Sequence, residues 1–274
     1  MINIPMKSKA PFDRTNVSSI NDAVTHGSVS AQNVESINTW KTSNSVQRQP
    51  QNSTAPRQNI STPVSTVPVT PHPAPVTSSA TTMPVQKPIP QLIKPVQKGQ
   101  KVTMDGAPLT NLKACFGWNS TNAECDVDVS AFLLGQDGKV LGDEWFVFYG
   151  QTNSPDNSTV FRMDNGIDRE IIDINLQTLN PAVKKIVFVL TINEAMEKRL
   201  HFAMMKDAYV RILNPQTNTE LVSFQMTDYY NNVISMMIGE VYQHNGAWKF
   251  NAVGNGVAKD LNGLCELYGV QVLD

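Results

Sequence analysis

From residue 99 onward, short runs rich in apolar residues alternate with short polar segments that contain Gly, Asn, Asp and Pro. The runs have the length of single β-strands, and the polar segments have the composition of turns. Asn245-Gly246 is the strongest hairpin signal among them. Regular spacing of short strands favours a β-sandwich or a barrel. The predicted strands are KVTM, LKACFGW, VDVSAFLL, WFVFY, STVFRM, EIIDINL, KKIVFVLTI, DAYVRIL, TELVSFQM, VISMMIGEVYQ and AWKFNAV.

The order of side chains within these runs predicts how the strands are buried. In AYVRIL, the residues Tyr209, Arg211 and Leu213 face one way, because successive side chains of a strand point in opposite directions. The run KKIVFVLTI is continuously apolar over its central part, which is typical of a central strand covered on both faces. We therefore predict a mainly β fold, a β-sandwich with a few short helices.

Two segments have the pattern of short helices. One lies near NEAMEKRL, residues 193–200, and the other is AKDLNGLCELYG, which Gly269 closes. Gly254-Asn255-Gly256 lies between a predicted strand and the second helix. Because it lacks the third glycine of a dinucleotide-binding fingerprint, we interpret it as a sharp turn from strand to helix.

The first part of the chain has a different composition. Residues 1–97 hold 13 of the 17 prolines, together with many Ser, Thr and Gln residues. Such a segment cannot bury a core, so we predict a disordered tail over residues 1–97 and a folded domain over residues 98–274. The tail is expected to act as an extended tether.

Within the tail, VSAQNVESINTWK is the one stretch with helical periodicity. Val34, Ile37 and Trp40 recur every three residues and would share one face of a short helix. A face of this kind can dock on a partner protein. The alternative is a disordered stretch with an isolated tryptophan.

Charge, apolar runs and cysteines narrow the classes of function. Residues 98–274 carry 14 Lys and Arg against 21 Asp and Glu, a balance that disfavours nucleic-acid binding. The start of the chain has no apolar signal region and no run of 18 apolar residues occurs, so we expect a cytoplasmic protein without direct membrane insertion. Cys115, Cys125 and Cys265 lack metal or disulfide spacing and are expected to be free thiols.

The pattern of carboxylates offers more chemistry than the histidines or cysteines do. Asp126, Asp128 and Ser130 share one face of a predicted strand, and two carboxylates at that spacing repel unless a cation lies between them. Oxygen ligands suit Ca²⁺, which takes six to eight of them, so two aspartates supply only part of a site. An EF-hand is excluded, because Ala131 stands where that loop needs glycine.

A second acidic segment, MDNGIDRE, offers further oxygen ligands. These are Asp164, Asn165, Asp168 and Glu170. No nucleophile with a partner base accompanies them. The sequence also lacks a G-x-S-x-G nucleophile elbow, a phosphate-binding loop and an H-E-x-x-H zinc motif. We therefore expect a protein that is not an enzyme, and a hydrolase that uses paired carboxylates as acid and base is the weaker alternative.

Nine motifs follow one another along residues 99–272. They are GQKVTM, LKACFGW, CDVDVSAFLL, DEWFVFYGQ, MDNG-IDREIIDINL, IVFVLTINEA, DAYVRIL, GEVYQHNGAWKFNAVGNG and YGVQV. In this order they resemble the tellurium-resistance TerD family along nearly all of that range.

The resemblance implies a calcium-binding β-sandwich of bacterial stress-response operons, with clustered aspartates that hold Ca²⁺. It implies Asp126, Asp128, Asp164, Asn165, Asp168 and Glu170 as metal-ligand candidates. It also implies other Ter-type stress-response proteins as partners and leaves open a membrane-associated complex reached through them.

The second acidic segment departs from the family pattern. The family loop is longer and richer in glycine and acid, whereas here Met163 stands for its first glycine and Arg169 for an aspartate. The loss of ligands leaves two hypotheses. The first is a calcium-binding stress-response module in which Ca²⁺ bridges the acidic loops. The alternative is a metal-free interaction scaffold in which Arg169 replaces the cation and pairs with Asp126 or Asp128.

Overall fold

Antiparallel strands in two sheets form the framework of the part of the chain that the structure describes, and the predicted β-sandwich is confirmed. This computed structural model describes residues 84–104 and 109–272. Most of the predicted tail, with Val34, Ile37 and Trp40, lies outside these residues. The strands are β1 (Lys101–Thr103), β2 (Asn111–Ser120), β3 (Val127–Leu134), β4 (Phe146–Val147), β5 (Thr159–Met163), β6 (Glu170–Asn175), β7 (Lys185–Ile192), β8 (Met205–Asn214), β9 (Thr219–Gln225), β10 (Ser235–His244), β11 (Ala247–Asn251) and β12 (Asn255–Val257), and they are accompanied by the helix α1 (Leu261–Tyr268) and by 3₁₀ turns at Asp143–Trp145 and Phe202–Met204.

The two sheets differ in size. The larger has seven strands in the order β1-β11-β10-β7-β3-β4, with β12 also paired to β10. The smaller has five strands in the order β5-β6-β2-β8-β9. The main apolar core lies between the sheets, where the rings of Phe116 on β2 and Phe188 on β7 meet edge to face at 5.2 Å.

Strand β7 is covered on both faces, as its continuous apolar run predicts. Phe188 points into the core between the sheets, and Val187 and Val189 point the other way. On that second face, α1 packs across β3 and β7, with the Tyr268 ring 4.5 Å from the Phe132 ring. The alternation predicted for β8 is also confirmed, because Val210 and Ile212 face the core while Leu213 packs on the outer face.

The helix predicted near NEAMEKRL is absent, and this prediction is wrong. Residues 193–199 form successive turns, with φ of 50° at Glu194 and 55° at Arg199. A right-handed helix cannot continue through positive φ. The helix predicted at AKDLNGLCELYG is confirmed as α1, and Gly269 ends it in the left-handed conformation, φ 83°.

The interpretation of Gly254-Asn255-Gly256 as a turn from strand to helix is wrong beyond its first residue. Gly254 makes the turn with φ of 60°, and the chain then forms β12, in which Asn255 and Gly256 pair with Met237 and Met236 of β10. The helix begins only at Leu261. Gly254 therefore forms a tight turn, and Gly256 belongs to the short strand that follows it.

The segment before the predicted domain boundary contacts the smaller sheet. We refer to residues 84–97 as the strap. Pro95 forms a parallel bridge with Ser223 of β9, and Val96 N–H donates to the Ser223 carbonyl at 2.8 Å. The Ile93 and Lys94 N–H groups both donate to Glu220 Oε1, at 2.8 and 2.7 Å. The boundary predicted between residues 97 and 98 thus divides a segment that contacts the sandwich on both sides of it.

Two further observations concern the expected lack of membrane insertion and the expected free thiols. No helix among the described residues is long and apolar enough to cross a membrane. All three cysteines are free thiols, with Cys115 and Cys265 buried and Cys125 partly exposed.

Removal of the N-cap of α1 is expected to destabilise the face that this helix covers. Asp260 Oδ1 accepts the Gly263 N–H at 2.9 Å. Asp260→Ala should lower the free energy of unfolding by about 1 kcal/mol, because an N–H of the first turn loses its acceptor. Asp260→Asn keeps an acceptor oxygen and should remain close to the parent chain. Urea unfolding of the three proteins checks this, and equal losses in both variants would contradict it.

Candidate functional site

Asp126 and Asp128 lie at the start of β3, on a stretch of strand with a free edge. The short strand β4 pairs only with Ala131 and Phe132, so no described strand borders the edge of β3 before that point. There the Val129 N–H donates instead to Glu170 Oε2, at 2.6 Å. Glu170 is the first residue of β6, and its side chain therefore links the smaller sheet to the larger one.

The three carboxylates of Asp126, Asp128 and Glu170 act on one another electrostatically. Burial, reinforced by the charges of Asp128 and Asp126, raises the pKa of Glu170 to about 8, although the Val129 hydrogen bond and Arg169 oppose this shift. Burial and the charge of Asp126 raise the pKa of Asp128 to about 6. Burial is the larger cause of both shifts, and the neighbouring carboxylates add to it.

A small pocket adjoins Asp128. Its enclosed volume is about 10 Å³, room for about one water molecule, and its lining includes Ser130, Thr191, Asn193 and Tyr149. Ser130 Oγ and Asn193 Oδ1 are buried and have no hydrogen-bond partner among the described residues. The Asn193 N–H donates to the Asp126 carbonyl at 2.8 Å, which keeps Asn193 next to the aspartates. Buried oxygens without partners are uncommon and indicate a missing ligand or water.

Asp168 does not join this carboxylate cluster. Its side chain lies on the outer face of the smaller sheet, where Arg211 binds it through two hydrogen bonds of 3.0 and 2.7 Å. The Tyr209 hydroxyl donates to the same carboxylate at 2.9 Å. A buried carboxylate held by a bidentate arginine and a phenol has its charge balanced within the protein.

Asp164 and Asn165 also lie apart from the start of β3. They belong to the loop between β5 and β6, where Asp164 Oδ2 accepts the Asp168 N–H at 3.1 Å and Asn165 is exposed. The six predicted ligands therefore divide into two groups. Asp126, Asp128 and Glu170 lie close enough to act on one another electrostatically, although Asp128 lies on the α1 side of β3 and Glu170 comes from the smaller sheet. Asp164, Asn165 and Asp168 form the loop on the other side of β6.

The Arg169 alternative predicted an ion pair with Asp126 or Asp128, and this prediction is wrong. Arg169 Nε donates to the Trp118 carbonyl at 2.6 Å and Nη2 to the Val85 carbonyl at 2.9 Å. Its guanidinium also lies 5.6 Å from the centre of the Trp118 ring. The sequence placed Arg169 within an acidic segment, but its backbone directs the side chain toward the strap.

Comparison with models of known protein families identifies the family of this chain. The family model described as the TerD domain matches residues 93–268 of this chain. The chain belongs to the TerD family.

Three relatives share most of their length with this TerD-family chain. It is 36% identical over 185 residues to "Tellurium resistance protein TerD" of Serratia marcescens and 37% identical over 185 residues to the protein of the same name from an Alcaligenes species. It is 34% identical over 186 residues to "General stress protein 16U" of Bacillus subtilis. Each match covers 64% of this chain and 96% of the relative. The match to the family begins within the strap.

The two clusters of predicted ligands in this TerD domain differ in how well their oxygen donors fit Ca²⁺. The start of β3 fits a hard cation, since Asp128 lines a pocket with the unpaired Ser130 and Asn193 oxygens, and Asp126 and Glu170 lie within electrostatic range. The 164–168 loop does not fit, because Asp168 is already paired with Arg211. In the conformation described here, no group of three or more His, Cys, Asp or Glu side chains among the described residues is arranged for metal binding. Sequence reasoning identified Ser130 but missed Asn193, whose only local signal is an amide directly after a buried strand.

The raised pKa of Glu170 predicts how stability depends on pH in the presence of a chelator. A carboxyl group whose pKa rises from 4.5 to about 8 on folding stabilises the protein when protonated, and this contribution is lost as pH rises from about 4.5 toward 8. Glu170→Gln keeps an acceptor for Val129 and has no such dependence. Between pH 5 and 8, the parent chain should therefore lose about 2–4 kcal/mol more unfolding free energy than the variant. Urea unfolding at several pH values measures this difference, and parallel curves would contradict the assigned environment.

Proposed function

We propose that this TerD-family protein is a stress-resistance protein that binds Ca²⁺ at the start of β3 and acts by binding rather than by catalysis. The observation that carries the proposal is a pocket in which Asp128 lies with Ser130 and Asn193, whose buried side-chain oxygens lack partners, with Asp126 and Glu170 within electrostatic range. A divalent cation at this position would favour the ionised forms of Asp128 and Glu170, whose pKa values are raised by burial and, to a smaller extent, by neighbouring carboxylates.

Five side chains supply candidate ligands. The carboxylates of Asp126, Asp128 and Glu170 provide charge, and Ser130 Oγ and Asn193 Oδ1 provide neutral oxygens. Bound Ca²⁺ would supply positive charge that joins the two sheets where the edge of β3 is free. Glu170 keeps its hydrogen bond to the Val129 N–H, so one carboxylate oxygen remains for other interactions.

The size of the pocket supports binding of an ion over turnover of a substrate. The cavity beside Asp128 has room for about one water molecule. A hydrolase that used these carboxylates as acid and base would need a cleft that admits a substrate between them. The hydrolase alternative is therefore the weaker proposal.

The stress-resistance part of the proposal rests on the relatives. Proteins named for tellurium resistance and for general stress match this chain along nearly their full length. We extend that role to this chain, with other Ter-type proteins as the proposed partners. The metal-free scaffold remains the alternative, but without the Arg169 ion pair that defined it.

Calcium binding is expected to depend on Asp128. Titration of Ca²⁺ into the chelator-stripped full chain, followed by calorimetry, should show saturable binding. Asp128→Asn should weaken it about tenfold or more, because a ligand charge next to the cation is lost. Asp137→Asn is the matched control, since Asp137 lies in the turn after the far end of β3, roughly 20 Å along the strand, and asparagine can still accept the Lys139 N–H. A flat titration, or equal weakening by both variants, would contradict the proposal.

The same variants test the cellular role. In a tellurite-sensitive bacterial strain whose own TerD protein has been deleted, the full chain is expected to raise the tellurite concentration that stops growth. Asp137→Asn should retain this protection, and Asp128→Asn should lose most of it at equal protein level. Protection that is independent of Asp128 would separate the stress role from the calcium site. No protection by the full chain would count against the stress role itself.

A further inference from the structure

The 164–168 loop binds a cation that belongs to the chain itself. Three backbone carbonyls of this loop surround the ammonium group of Lys87 in the strap. Lys87 Nζ donates to the carbonyls of Asp168 at 2.5 Å, Gly166 at 3.0 Å and Asp164 at 3.3 Å. An ammonium group has three N–H donors, and each can therefore reach one carbonyl.

The loop is held closed by its own hydrogen bonds. The Asp164 N–H donates to the Arg169 carbonyl at 2.8 Å, and Asp164 Oδ2 accepts the Asp168 N–H at 3.1 Å. The side chain of Asp164 is thus used to close the loop. Its carbonyl and those of Gly166 and Asp168 are the groups that bind the lysine.

The backbone of Lys87 is recognised as well as its side chain. Asn119 is 6% exposed, and its Oδ1 accepts the Lys87 N–H at 2.8 Å. Its Nδ2 donates to the Lys87 carbonyl at 2.9 Å and to Asp207 Oδ2 at 3.1 Å. One buried amide therefore satisfies both backbone groups of Lys87, in the manner of a neighbouring β-strand.

Hydrogen bonds of residues next to Lys87 also attach the strap to the sandwich. Gln86 Nε2 donates to the Ser120 carbonyl at 2.7 Å, and Arg169 Nη2 donates to the Val85 carbonyl at 2.9 Å. Further along the strap, the Ile93 and Lys94 N–H groups are bound by Glu220. The strap is thus held at two places, and only the first involves a charged side chain of the strap.

We infer that the 164–168 loop is an alkylammonium-binding site whose ligand is Lys87, and that this contact fastens the strap to the sandwich. The loop takes no calcium ion while Lys87 is bound, because the three carbonyls are already used. Arg169 and Arg211 add positive charge on the same side of β6, which disfavours entry of a second cation. The inference does not depend on the calcium site proposed at the start of β3.

The strap contains a matched control for Lys87. Lys94 is also followed by proline, as Lys87 is, and its side chain is exposed. Its ammonium group makes no hydrogen bond or ion pair with the described residues, whereas its backbone N–H is bound by Glu220. The change Lys94→Met therefore alters the same residue type in the same segment without touching the carbonyl site.

Hydrogen exchange of the full chain, followed by mass spectrometry, tests the inference. Lys87→Met keeps the aliphatic stem and removes the ammonium group, so exchange in residues 84–92 should become at least about tenfold faster. Lys94→Met should leave the exchange of that segment unchanged. Exchange in β7, residues 185–192, serves as the reference for an intact core and should be the same in all three proteins. In the unaltered chain, millimolar Ca²⁺ should leave the exchange of residues 84–92 unchanged, because Lys87 stays bound.

Three results would overturn the inference. The first is unchanged exchange of the strap in Lys87→Met, since the ammonium contact would then fasten nothing. The second is equal acceleration in both lysine variants, which would show a general effect of charge. The third is faster exchange of residues 84–92 on addition of Ca²⁺ to the unaltered chain, which would show that a metal ion displaces Lys87.

Discussion

Glu170 reaches from the smaller sheet to the backbone of β3 in the larger one, where its Oε2 accepts the Val129 N–H at 2.6 Å. This contact satisfies a backbone donor that no neighbouring strand can reach, and a buried donor without a partner is costly. The same contact places a carboxylate that is 2% exposed within electrostatic range of Asp128 and Asp126. Pairing the free edge of β3 therefore buries an acidic group close to two other carboxylates.

The two buried carboxylates at the end of the β5–β6 loop, Asp168 and Glu170, have different partners. Asp168, only two residues from Glu170, is equally buried, but it is bound by Arg211 and Tyr209. Breaking such a buried pair costs several kcal/mol, roughly 3–5, because the remaining charge is left alone. Glu170 has no ion pair of this kind among the described residues, and its pKa rises accordingly. The two neighbouring carboxylates thus differ in their partners, since Asp168 is paired with Arg211 and Glu170 accepts the Val129 N–H.

Much of the sandwich could be predicted because its strands obey a strict two-residue alternation. That rule correctly placed Tyr209 and Arg211 on one face of β8 and predicted the double coverage of β7. The rule fails at Asp168, which lies in the loop just before β6 and so points away from the side that Glu170 occupies. Lys87 could not be found from spacing, because its partners are carbonyl groups 77–81 residues away and backbone carbonyls leave no mark in the sequence.

Arg169 is the residue that connects the two sides. The Arg169 N–H donates to the Phe116 carbonyl on β2 at 2.8 Å, and its side chain spans from Trp118 to Val85 in the strap. Its charge also lowers the pKa of the adjacent Glu170, against the larger effect of burial. The arginine that departs from the family pattern therefore does not replace the cation at Asp126 and Asp128. It binds the strap on one side and acts on the carboxylate cluster through Glu170 on the other, so the position of the strap and the charge at the start of β3 are set partly by one side chain.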